Sequence, residues 1–77
     1  MAIRYLKRHA ALEGQVSADD AETLQRWLLA QARPAVHLGK CDDVHAAALQ
    51  VLLALRPRIA AAPPGRWLRH ALGLPDA

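Results

Sequence analysis

His37, Cys41 and His45 recur at every fourth position, with Asp42 and Asp43 beside them. Imidazole, thiolate and carboxylate are the groups zinc accepts, and on a continuous helix this spacing sets three of them along one side. The stretch does not read as one helix. Pro34 and Gly39 punctuate "PAVHLGKC", and Val36, His37 and Leu38 alternate as a short strand does. With His37 on a strand and His45 opening a helix, the ligands need not converge, and no metal site is expected. A Cys–His nucleophile would also need an orienting group and oxyanion donors. Cys41 reads instead as a small buried hydrophobe at the strand end, and His9 and His70 as surface or helix-end residues.

No glycine-rich phosphate loop and no patterned pair of carboxylates accompanies these residues. A chain of 77 residues has little room for a substrate pocket of about 300 Å3 or more. The expectation is a protein that is not an enzyme, with no catalytic residue, no cofactor and no small-molecule substrate.

The elements that must carry any site fit in one domain, residues 1–77. A chain this short buries only about 60% of the surface that its unfolded form exposes, so oligomerisation or another staple would help it. Cys41 is the single cysteine, which excludes an internal disulfide and fits a reducing compartment. No apolar run reaches the length of a membrane span, and the N-terminus lacks the apolar core of a signal peptide. A cytoplasmic location is therefore expected.

The net charge is +3 and the sequence pI about 9.8. Arg4, Lys7 and Arg8, then Arg56, Arg58, Arg66 and Arg69, gather toward the two ends and could attract phosphate. No aromatic-studded basic strand or reading helix accompanies them, so nucleic-acid association is the alternative rather than the first reading. The abundance of Ala, Leu and Arg, without Phe or Asn, matches the composition of a GC-rich bacterial genome.

"SADDAETLQRWLLAQAR", residues 17–33, predicts the first helix. Ser17 is the N-cap, and Asp19, Asp20 and Glu22 sit where the helix dipole favours anions. Trp27, Leu24, Leu28, Ala21 and Ala32 share one face, and Pro34 stops the helix. A second helix is expected from about Asp43 to Arg56, ended by Pro57. A weak strand follows at Ile59 to Ala61, then a turn at Pro63, Pro64 and Gly65. A final helix in "RWLRHALGL" has Trp67, Leu68, Ala71 and Leu72 inward and Gly73 as its C-cap.

Residues 2–13 suit a helix by propensity and a strand by tertiary logic, because a lone strand at Val36 to Leu38 cannot satisfy its backbone groups. A strand over residues 8–13 makes the order β-α-β-α-β-α, a small α/β layered domain. The alternative is an all-α chain of four short helices.

The second helix is apolar nearly all round. Leu49, Leu53, Val51, Leu55 and Leu52 span about 200° and should face the core. Ala46, Ala47, Gln50 and Ala54 fill the remaining arc without a charge. Ala is the best helix former. Small uncharged residues also let another surface approach, as in interface cores.

The run "RHAALEGQVSADDAETLQRWL" resembles the opening of STAS domains, the sulfate-transporter and anti-sigma-factor-antagonist module, in which a strand ending in Leu-x-Gly leads into the first helix. "AVHLGKCDDVHAAALQVLL" is similar to the family's next block: a strand, a loop, then Asp-Ser-Ser-Gly-Leu opening the second helix. The match spans residues 8 to about 60, and it puts the chain shorter than family members at both ends. The motif's Asp falls on His45, its phosphorylatable Ser on Ala46, its second Ser on Ala47 and its Gly on Ala48, while Leu49 is retained. The strand's usual Asp falls on His37. The resemblance thus implies a STAS-like α/β fold without the serine switch, since Ser17 and Thr23 are the chain's only aliphatic hydroxyls. What it retains is docking at the start of the second helix. The expected function is a non-catalytic interaction module binding a protein partner or itself through His45, Ala46, Ala47, Gln50 and Ala54.

Overall fold

Leu6 donates its amide to the His9 carbonyl at 2.9 Å, closing a tight turn over Lys7 and Arg8. The N-terminus is therefore a β-hairpin, not a helix. In this computed structural model, which describes residues 2–75, β1 (Ile3–Tyr5) pairs antiparallel with β2 (Ala10–Val16), with Ile3 opposite Leu12. The strand expected at residues 8–13 thus lies at 10–16. β1 is an additional strand that helix propensity had concealed.

Then come α1 (Asp19–Ala30), β3 (Ala35–Val44), α2 (Ala46–Leu55), β4 (Arg58–Ala61) and α3 (Arg66–Ala71). The sheet order is β1-β2-β3-β4, with β2, β3 and β4 parallel. The chain is an α/β domain of order β-α-β-α-β-α preceded by the extra strand, and the all-α alternative is excluded. Parallel crossovers are right-handed, so two steps in one direction place α1 and α2 on the same face of the sheet. No helix among the described residues is long and apolar enough to cross a membrane.

The core lies between that face and the helices. Leu12, Val36, Leu38, Cys41 and Val44 from the strands meet Leu24 and Leu28 of α1, Ala48 and Leu52 of α2, and Leu68 of α3. In β3 the inward residues follow at spacings of two, three and three. Regular pleating allows only two, and the pairing with β2 shifts register twice to absorb the extra residues. Gly14, with φ +65, lies at one of the shifts, in the left-handed region that favours glycine.

The irregularities correct several expected boundaries. β3 runs on to Val44, held by pairing with Val16 and by the His45 amide on the Val16 carbonyl at 2.8 Å, so α2 begins at Ala46 rather than Asp43. α1 stops at Ala30, which leaves Ala32 outside it and exposed. Trp27 is half-buried and meets the Tyr5 ring at 5.6 Å. Trp67, expected inward, is 64% exposed, while Leu68 beside it is buried.

The helix ends are well specified. The N-cap of α1 is Ala18, without a side-chain cap bond, so Ser17, expected in that role, lies one residue earlier. The Ser17 amide and hydroxyl both donate to the Asp20 carboxylate, at 3.1 and 3.2 Å, which ties the chain to the first turn. Gly73, with φ +75, closes α3 as expected. Its amide reaches the His70 carbonyl and that of Leu74 reaches Arg69, the paired bonds of a Schellman motif.

Candidate docking face on the second helix

α2 is built from Ala, Leu, Val and one Gln. Nothing in that composition tells which side faces the sheet. Packing decides it. Ala48 and Leu52 are buried, Leu49, Val51 and Leu55 are half-buried, and Ala46, Ala47, Gln50, Leu53 and Ala54 are exposed. At 100° per residue the exposed set occupies about a third of the circumference. One residue changes sides relative to the expected wheel. Leu53, placed in the core-facing arc, is 38% exposed beside the alanines, while Ala48, assigned to neither arc, is fully buried. The buried centre of the helix lies near 220° from Ala46, midway between Ala48 and Leu52, and Leu53 is a third of a turn away.

The exposed arc carries no charge and one outward leucine. α1, on the same side of the sheet, presents Glu22, Thr23, Gln25 and Arg26 to solvent and a Glu22–Arg26 ion pair at 3.5 Å. The contrast shows that the neutral face belongs to α2 alone.

The N-terminal end of this face is capped by its own sequence. His45 is exposed, and its Nδ1 accepts the Ala47 amide at 3.0 Å. Asp43, exposed, accepts the Val44 amide at 2.9 Å. Both α1 and α2 start where the parallel strands end, so Asp19, Asp20, Asp42 and Asp43 all lie at this end of the molecule. The opposite end is basic: the segments entering β2, β3 and β4 hold Lys7 and Arg8, Arg33, and Arg56.

The three residues with metal-like spacing go to different places. His37 lies beside the exposed Gly39, accepts its amide at 3.3 Å and meets the His9 ring at 5.7 Å. Cys41 is fully buried in the core, on the helix side. Burial pushes its thiol up to about 11, assisted by the nearby Asp42 and Asp43 carboxylates and opposed by hydrogen bonding to the Asp43 backbone. At neutral pH it is a protonated, inaccessible thiol rather than a nucleophile. His45 is spent on the α2 cap. No group of three or more His, Cys, Asp or Glu side chains converges on a metal position among the described residues.

Sequence reasoning missed the His9–His37 pair on the helix-free face of the sheet. The only signal for it was that His37 lies on a strand and His9 just before one. That face also holds the Arg4–Glu13 ion pair, 2.8 Å long, around a shallow depression lined by Ala11, His37 and Lys40. Compared with family models, curated proteins and solved structures, the chain matches none of them.

Proposed function

We propose that this chain is a non-catalytic protein-interaction module of STAS-like type, docking a protein partner or a second copy through α2. The observation that carries the reading is the uncharged exposed face of Ala46, Ala47, Gln50 and Ala54, which begins at the His45 cap and extends to Leu53. Charge is depleted from interface cores and small side chains permit close approach. The resemblance to STAS domains adds support, because strand, helix, strand and second helix follow in its order and Ala46 is the first residue of α2. With alanine at both serine positions, the module docks without a phosphorylation switch there.

The basic segments entering the parallel strands favour a second reading, association with nucleic acid. Salt separates the two. A tagged chain is used to capture partners from its native host at low and high salt. Docking through an apolar face keeps its protein partner at high salt, whereas nucleic-acid association weakens steeply. Nuclease-sensitive capture that vanishes at high salt would overturn the docking reading.

A further inference from the structure

The chain's charge is carried by one half of it. Residues 1–43 hold six Lys and Arg against six Asp and Glu, whereas residues 44–77 hold four arginines against Asp76 alone. The whole excess of +3 therefore belongs to the second half, and from Val44 to Pro75 there is no carboxylate side chain. In this half the C-terminal end of α2, the start of β4 and the end of α3 enclose an open groove of about 530 Å3. Leu53, Pro57, Ile59 and Leu72 make its apolar lining, with Arg56 and His70 among them. Arg56 ends α2 at φ +47, where a side chain is strained and glycine is preferred. Pro57 behind it restricts it further. Among the described residues Arg56 makes no ion pair.

We propose that this groove binds an acidic amphipathic segment of a partner protein, its apolar side chains against Leu53, Ile59 and Leu72 and its carboxylates on Arg56 and His70. The proposal rests on the interaction-module reading and adds the partner's chemistry. Helix-in-groove recognition takes its affinity from such apolar anchors, and charge on the rim sets which partner is accepted. A second copy presenting the same region would bring no carboxylate to Arg56 and His70, which disfavours symmetric pairing through the groove.

The test uses two fluorescent synthetic peptides with leucines at i, i+3, i+4 and i+7. One has glutamates at the remaining positions and the other has lysines. Anisotropy should show saturable binding of the glutamate peptide and none of the lysine peptide. Arg56→Gly should weaken the glutamate peptide by about tenfold or more, the loss of one charge-assisted contact. Its melting temperature should stay at or above wild type, since the left-handed strain is relieved. Amide shifts on titration should concentrate at Leu53, Arg56, Ile59 and Leu72. Equal binding of both peptides, binding of neither, or an Arg56→Gly variant that binds like wild type would each overturn the proposal. So would displacement of the peptide by a single-stranded oligonucleotide, or a mass that doubles with concentration in a manner sensitive to Leu72→Glu. Ala47 is not among the groove's lining residues, so an Ala47→Glu comparison reports on the α2 face whatever happens in the groove.

Discussion

The Ala47 amide donates to the His45 imidazole across 3.0 Å, so a histidine caps α2 at the position that opens its neutral face. Removing this bond leaves an unsatisfied donor at a helix start without an acid in its first turn. His45→Ala is expected to lower stability by about 0.5–2 kcal/mol, and His45→Asp, a stronger cap facing the positive end of the helix dipole, to equal or exceed wild type. Urea melts of the three proteins check the order. An alanine variant as stable as wild type would show that the cap contributes nothing.

Cys41 links stability to alkaline pH. Its thiol ionises at about 11 in the fold against an ordinary value of 9.0, so between these values the unfolded chain has released a proton that the folded chain still holds. Stability from this group is complete below pH 9, falls as pH rises, and is fully lost above about 11. Tyr5, also raised by burial and by the Asp20 carboxylate, adds a fall of the same sign at higher pH. Denaturation midpoints measured from pH 8 upward should decline for wild type and decline less for Cys41→Ala, whatever their difference at pH 8. Parallel profiles would contradict the assignment.

The hairpin and the last helix offer a paired test. Ile3 is 2% exposed and Trp67 is 64% exposed. Ile3→Ala is expected to cost about 2–4 kcal/mol, enough to unfold much of so small a domain, and Trp67→Ala about 0.5 kcal/mol or less. Thermal melts followed by circular dichroism distinguish them. If the tryptophan variant loses more, the tail packs differently from the arrangement described.

What could be read in the sequence depended on local contrast between polar and apolar positions. α1 has that contrast, with Asp19, Asp20 and Glu22 at its start and Pro34 beyond its end, and it lies close to where it was expected. β3 hides its length because its bulges break the period of two, so Asp42 and Asp43 look like a helix start while the backbone is still paired. The three-residue β1 offers too few positions for any period to show. In α2 the apolar residues surround the axis, so pattern alone leaves the helix rotation undetermined and misplaces Leu53. Even so, every residue of the expected docking set, His45, Ala46, Ala47, Gln50 and Ala54, is exposed. The groove beside α3 was invisible from sequence because it depends on how α2, β4 and α3 pack against one another, which no local pattern sets.

If the neutral face of α2 is a docking surface rather than part of the core, Ala47→Glu separates the two, with Leu52→Ala as the contrast. Ala47 is exposed and Leu52 is 3% exposed. The glutamate should change stability by about 0.5 kcal/mol or less, while Leu52→Ala should cost about 2–5 kcal/mol. In a packed interface the same glutamate buries an unpaired charge. Ala47→Glu is expected to keep the wild-type melting temperature but to lose the captured partner, or the oligomeric mass by light scattering if the partner is a second copy. Ala47→Glu with wild-type melting, wild-type mass and undiminished partner capture would contradict the docking reading.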